Sequence, residues 1–493
     1  MGKVFFFVAV WIGFLAQLGA NGIDLNDTKS WKWTHDGSVD VDLYKLMNKI
    51  QHDPSILCKE RLKSDLARLD RLLESFGQNP TDTLAAKIDL QAEKLQVRYA
   101  YIKNNGCFDP GMFLEEENFL PRRKLRSESV VDSPILTNLY KLLDRYLMLR
   151  QKGGWDPIEI EDTLYLKVGQ EYDEVPAIKR RLALEGFFMG EVNDSRLYTK
   201  ELADAIKEFQ RRHGLKPDGV IGPMTLGMLN TSVDEKIKKI LLSIERARWF
   251  LRGEDFFVFV NIPGYFLEVY DCNESCLRSD VIVGRKKRPT PLMRNQISYA
   301  VLNPYWRAPK TIIKEDILPK LQAGQFDKVR KSGIIASLDP MGRQVVRYED
   351  VEWKFFTEED LPFYFLQLPG PKNFLGFIKF MFPNKFDVYL HDTSSRQLFK
   401  YDYRALSSGC VRVKRPVELY RVLLKRYGRD ISYRDIFEQF WAQKTKKVNL
   451  RPNIPVYLLY LTAYMDQKGK PYFYNDIYEI DKKMWEYARI EGK

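Results

Sequence analysis

Apolar residues recur at helical spacing over Leu62 to Phe76, Leu84 to Tyr101 and Ile135 to Leu149. The early part of the chain therefore reads as an irregular helical region, punctuated by Asn104-Asn105-Gly106, Pro121 and Pro134. The pattern sharpens between Asp173 and Asn230. Val175, Ile178 and Leu182 line one helix face, and Leu202, Ile206 and Phe209 line a second at i, i+4, i+7. Gly214 stops that helix, and a turn-rich stretch from Pro217 leads into a third, short helix with Pro223 in its first turn. A compact three-helix module is predicted. A charged linking helix, about Asp234 to Arg252, comes next. The period then changes: Phe256 to Ile262, Tyr265 to Tyr270 and Ser279 to Val283 read as short strands, broken by Pro263-Gly264 and by a turn from Asp271 to Ser275. From about Pro309 to Gly376 the pattern is mixed, with Lys320 to Lys331 helical, and reads as a lid inserted in a β-rich core. The lid's aromatics, Trp353, Phe355, Phe356, Phe363, Tyr364 and Phe365, are expected to pack it rather than to form substrate platforms. Phe386 to Thr393 alternates as a strand, Phe399 to Tyr403 suits a short strand or turn, and Pro416 opens a helix over Val417 to Tyr427.

With 493 residues, 45% of them hydrophobic and 13% aromatic, the chain can bury several cores, which excludes a disordered or fibrous protein. Residues 1–22 read as a signal peptide: Lys3, an apolar run from Val4 to Leu18, then Gly19, Ala20 and Gly22, with cleavage expected near Ala20. That run is shorter than the ~20 apolar residues of a membrane span. Export favours oxidised thiols, so the five cysteines pose an odd-number problem. Cys58 with Cys107, across two helices, and Cys272 with Cys276, at a hairpin tip, are available pairs that the sequence does not prove; together they leave Cys410 over. The net charge of +12, with a dense run at Arg122-Arg123-Lys124-Leu125-Arg126, suits an anionic partner such as a cell wall or membrane surface, and export makes nucleic acid the poorest candidate. No metal or cofactor is expected, because the histidines at 35, 52, 213 and 391 have no ligand spacing and no Gly-rich phosphate loop is present.

Candidate chemistry gathers near the C-terminal side. His391 ends an alternating segment, and Cys410 follows in Ser407-Ser408-Gly409-Cys410-Val411-Arg412. A thiol reacts as thiolate and needs a neighbouring base, which His391 can supply. The amides of Gly409 and Cys410 are candidates to face a developing oxyanion, with Ser407, Ser408 and Arg412 in support. Tyr389, Asp392 and Thr393 are candidate substrate-binding residues. Adjacent strand residues point to opposite faces, so a backbone carbonyl is at least as good an orienter of His391 as the Asp392 carboxylate.

Two resemblances sharpen this. Phe209, Gln210, Leu215, Asp218, Gly219, Gly222 and Thr225 occur in the order found in peptidoglycan-binding domains. His391, Ser407, Gly409, Cys410, Val411 and Arg412 resemble the hallmark of L,D-transpeptidases of the YkuD type. Val283-Gly284, Thr290-Pro291, Asn303-Pro304-Tyr305-Trp306, Gln367 to Gly370, Asn373, Leu375-Gly376, Lys379-Phe380 and Tyr389 to Thr393 add to that likeness, which is closest to the large Gram-negative subgroup with a capping insertion. The resemblance implies a multidomain α+β chain: a helical scaffold over 23–170, a peptidoglycan-binding module over 171–232, a linking helix over 233–252 and a β-rich catalytic domain over 253–480, with a lid inserted at 309–376. It further implies a wall-associated periplasmic enzyme without stable membrane insertion. Cys410 takes an acyl group from a tetrapeptide stem, releasing D-alanine, and a second stem's amine completes a 3-3 cross-link. An L,D-carboxypeptidase and a non-catalytic wall anchor are the alternatives. One departure stands out: many members carry histidine before the glycine, where this chain has Ser408.

Overall fold

The computed structural model describes residues 31–113, 133–160 and 165–491. The expected signal peptide and the basic run at Arg122 to Arg126 lie outside the described residues. The chain divides into two compact units, one of residues up to Asp53 together with Lys59–Tyr99, the other of Pro54–Cys58 together with Ala100 onward.

The first unit is helical. Helix α1 (Val41–His52) starts at Asp40, whose carboxylate accepts from the Asp42 amide at 2.8 Å. With α2 (Glu60–Gln78) and the start of α3 (Asp82–Asn105) it buries Leu43, Ile50, Leu69, Ile88 and Leu95.

In the second unit a disulfide joins Cys58 to Cys107 with Cα atoms 5.6 Å apart. The other available pair does not form. Cys272 and Cys276 are free and exposed: Cys272 takes the left-handed turn position of a hairpin (φ 46), and the Cys276 thiol points back at the Val269 carbonyl, 3.4 Å away. Helix α4 (Pro134–Gln151) precedes the three-helix module of α5 (Val175–Leu184), α6 (Lys200–Arg212) and α7 (Pro223–Leu229). All six apolar residues that predict the module's two longer helices are fully buried. The module's turn is pinned by Gln210, whose amide donates to Asp218 Oδ1 (3.0 Å), the Val220 carbonyl (2.9 Å) and Thr225 Oγ1 (3.1 Å) and accepts from the Gly219 amide (2.9 Å). The residues that carry the sequence pattern there are thus structural pins.

Helix α8 (Val233–Phe250), capped by Ser232, occupies the expected linking position, but four of its charges are not solvated. Lys236, Glu245, Arg246 and Arg248 are all buried, with Lys236 paired to Glu185 at 2.6 Å and Arg246 to Asp481 at 2.6 Å.

The β-rich domain is built on a nine-stranded sheet. Its strands are β1 (Phe256–Asn261), β2 (Phe266–Asp271), β3 (Glu274–Gly284), β4 (Met293–Leu302), β9 (Ile378–Met381), β10 (Leu390–His391), β11 (Ala405–Ser407), β12 (Val411–Val413) and β13 (Lys446–Leu459). The order is β11-β3-β12-β10-β9-β4-β13-β1-β2, and pairing of β2 with β3 closes the sheet on itself. Between β4 and β9 the lid forms its own four-stranded sheet from β5 (Trp306–Arg307), β6 (Ile335–Ser337), β7 (Val345–Val346) and β8 (Tyr364–Gln367), with helices α9 (Leu318–Gln322) and α10 (Phe326–Lys331). Trp306, Leu321, Tyr348, Trp353 and Phe365 form the lid's own core, whereas Phe355 and Tyr364 are exposed. Where a strand or turn is expected near Phe399, a 3-10 helix spans Arg396–Lys400. Two further helices follow the Cys410 segment: α11 (Pro416–Lys425), opened by its proline, and α12 (Tyr433–Trp441); helix α13 (Ile480–Glu491) ends the described chain.

Candidate active site

Strand β10 is the centre of the site. It runs antiparallel to β9, with Lys379 opposite His391, and parallel to β12, with Arg412 opposite His391. Side chains alternate along a strand, so Tyr389, His391 and Thr393 share a face with Cys410 and Arg412. All five line one cavity of about 780 Å³, within the usual size range of ligand-binding pockets.

The turn that presents Cys410 is held by two hydroxyls. Ser407 Oγ donates to the Cys410 carbonyl (2.6 Å) and accepts from the Gly409 amide (3.2 Å). Thr290 Oγ1 donates to the Gly409 carbonyl (2.7 Å) and accepts from the Gly284 amide (2.8 Å). Gly409 has φ 113, a conformation that side chains strain against. At Gly284 a Cβ would collide with the Thr290 amide at 2.5 Å. The Gly409 amide, a candidate oxyanion donor, is therefore already engaged by Ser407.

His391 is buried, and its Nδ1 bonds to the Asp392 carbonyl. A carbonyl only accepts, so Nδ1 carries the proton and Nε2 keeps its lone pair. Burial, with Arg412 and Lys379 nearby, lowers the imidazole pKa to about 3. The Cys410 thiol donates toward the Asp387 carbonyl at 3.5 Å rather than to the imidazole, and burial pushes its pKa up to about 11. At rest both groups are therefore neutral at physiological pH. Two cations stand by: Arg412, whose buried Nε has no hydrogen-bond partner, and Lys379, whose Nζ lies 5.4 Å over the Tyr389 ring.

Asp392 sits apart from these groups. Its carboxylate turns from the cavity to accept from the Phe377 amide (3.0 Å) and to pair with Arg396 (2.6 Å), the other phase of the strand alternation. Ser408 accepts from Arg288 Nη1 at 3.1 Å, and the same guanidinium holds Asp316 at 2.8 Å and Glu315, both in the lid. Arg288 and Asp387 are site neighbours that the sequence pattern did not single out. Arg288 adjoins the Thr290-Pro291 pair, which was the available signal.

A second cavity, of about 790 Å³, lies between the three-helix module and the β-rich domain, with Tyr165, Gln210, Asp218, Tyr265, Tyr401 and Tyr403 among its lining. Strand β11 divides the two cavities, since Leu406 lines this one and Ser407 the first. Among the described residues no group of histidine, cysteine or acidic side chains is placed to hold a metal ion, and no helix is long and apolar enough to cross a membrane.

Fold and site together define a β-rich domain with a cysteine-bearing cavity, joined to a small helical module. Residues 255–437 match the family described as L,D-transpeptidase catalytic domain, and residues 171–229 that described as "Putative peptidoglycan binding domain". The β-rich domain is thus similar to L,D-transpeptidase catalytic domains of the YkuD family, and the helical module to peptidoglycan-binding domains. It is 37% identical over 227 residues to a Haemophilus influenzae protein named "Putative L,D-transpeptidase", a match spanning 46% of this chain and 45% of that one. The match therefore takes in less than half of that relative's length. An L,D-transpeptidase structure from Stackebrandtia nassauensis aligns at 13% identity and TM-score 0.23, over 62% of this chain and 96% of that one. One from Xylanimonas cellulosilytica aligns at 16% and 0.20, over 61% and 100%.

Proposed function

We propose that this chain forms 3-3 cross-links in peptidoglycan through a Cys410 acyl-enzyme. The observation that carries the reading is that His391, opposite Arg412 in the register of β10 against β12, and Cys410, immediately before β12, line one cavity. In the first half-reaction the thiol proton passes to His391 Nε2 as sulfur attacks the carbonyl of the third, diamino-acid residue of a tetrapeptide stem. The C–N bond to the terminal D-alanine then breaks, and His391 returns the proton to the leaving amine. A side-chain amine of a second stem attacks the thioester, its proton moves to His391, and the thiol is regenerated. Arg412 and Lys379 supply the positive potential that offsets burial as the sulfur becomes anionic. The three-helix module holds the polymeric substrate at the wall, and its likeness to peptidoglycan-binding domains supports a wall-associated, periplasmic enzyme.

Mass spectrometry of muropeptides after incubation with wild type and Cys410→Ala tests this. A 3-3 dimer and free D-alanine are expected with wild type alone. D-alanine and tripeptide stems without dimer would make the chain an L,D-carboxypeptidase, and identical products from both proteins would leave it a wall anchor.

A further inference from the structure

Helix α12 carries Tyr433, Phe437 and Trp441 at i, i+4 and i+8, so the three rings form one stripe. They are 44%, 49% and 74% exposed. The same helix anchors itself through a neighbouring strip: Ile436 is fully buried, and the Phe440 ring packs edge-on against Phe377 at 4.8 Å. Its apolar face is therefore wider than the part the fold uses, and the unused part is aromatic throughout.

Basic side chains bracket both ends of the stripe. At the start, the Arg421 guanidinium lies 4.2 Å over the Tyr433 ring, and Lys425 and Arg429 precede the helix in sequence; at the end, Lys444 and Lys446 follow Trp441, whereas Arg426 lies over the Phe256 ring and Lys447 over the Tyr299 ring. The acidic residues of this region are already engaged. Asp430 faces Arg421, Asp435 closes the helix capping box with Ser432, and Glu438 pairs with Arg434. Lys425, Arg429, Lys444 and Lys446 are exposed and form no ion pair among the described residues.

We infer that this face docks the protein on an anionic phospholipid surface, with the rings at headgroup depth and the lysines and arginines over lipid phosphates. Tyrosine and tryptophan favour the membrane interface because one end of each ring is apolar and the other wet. Basic residues around an aromatic helix face are the pattern of helices that lie on a bilayer rather than span it. None of these side chains lines the catalytic cavity, so the inference is independent of the enzymatic reading.

Co-sedimentation of the full chain with vesicles tests it, using phosphatidylglycerol mixed with phosphatidylethanolamine against phosphatidylcholine alone. Binding to the anionic vesicles is expected, with little to the zwitterionic ones and a steep loss above about 0.1 M salt, where charges are screened within about 10 Å. Phe437→Ser with Trp441→Ser, and separately Lys444→Glu with Lys446→Glu, should each weaken binding about tenfold or more. Melting temperature and muropeptide products should stay those of the wild type. Equal binding to both vesicle types, or binding unchanged in both variants, would overturn the inference. So would a self-associating chain that ignores vesicles and becomes monomeric on loss of Phe437 and Trp441, because the stripe would then face a second copy.

Discussion

His391 sets the pH behaviour of the site. In the unfolded chain it titrates near ~6.5, whereas in the fold burial and two neighbouring cations hold it at about 3. Between these values the unfolded state binds the extra proton, so this residue's contribution to stability is intact above about pH 6.5 and is lost as pH falls toward 3. Urea denaturation at pH 7 and pH 4 should show wild type losing about 3 kcal/mol more than His391→Gln. Equal losses would mean the imidazole is not buried neutral. At this scale much of the site was legible: the two-residue period puts Tyr389, His391 and Thr393 on one face, and the Ser407-Ser408-Gly409-Cys410-Val411-Arg412 context marked Cys410, whereas the odd-thiol count did not, because Cys272 and Cys276 are free as well. The same period puts Asp392 on the opposite face, against its candidacy from the motif as a substrate-binding residue. Arg288 escaped notice because its partners, Glu315, Asp316 and Ser408, are 27, 28 and 120 positions away.

Among the elements, the lid and the nucleophile turn meet through Arg288. Each of its ion pairs involves a lid carboxylate that is at least 39% exposed, so solvent keeps each to about 1 kcal/mol or less. Arg288→Gln should therefore leave global stability nearly unchanged while loosening the lid's attachment. Hydrogen exchange over residues 310–317 should quicken, and the ratio of hydrolysed to cross-linked product should rise as water gains access. An unchanged ratio would separate the lid from acceptor choice. The three-helix module and the first strands of the β domain were readable because their periodicity is regular. Strand β10 is only two residues long, shorter than the alternation of Phe386 to Thr393 suggests, because Asp387 breaks the extended run with φ 52. The fourteen-residue β13 is interrupted by Pro452 and Pro455, which obscure a strand pattern, and its register against β4 shifts between Asn449 and Ile454.

Across the second unit, a buried ionic knot ties the module to its neighbours. Glu185 accepts from Lys236 Nζ (2.6 Å) and from the Tyr146 hydroxyl, pairs with Arg181 (2.6 Å), and Lys236 reaches His213 Nε2 at 3.4 Å. Burial alone would raise the Glu185 pKa, but Lys236 and Arg181 outweigh it and hold the carboxyl well below its usual range. Helices α4, α5 and α8 and the end of α6 thus share one charge cluster. Removing one member of a buried pair strands the other, so Lys236→Met should cost about 3 kcal/mol and lower the melting temperature. A neutral result would mean that Arg181 alone suffices. The sequence shows these residues only as charges on helices, and such charges ordinarily face water; burial arises from packing between distant segments. The order of modules, by contrast, was legible because each has its own local pattern. Strand β11 forms a partition in this arrangement, with Leu406 on one side and Ser407 on the other. Adjacent residues of one strand therefore face the two cavities. A substitution at Leu406 and one at Ser407 thus act on different cavities although the two positions are covalent neighbours.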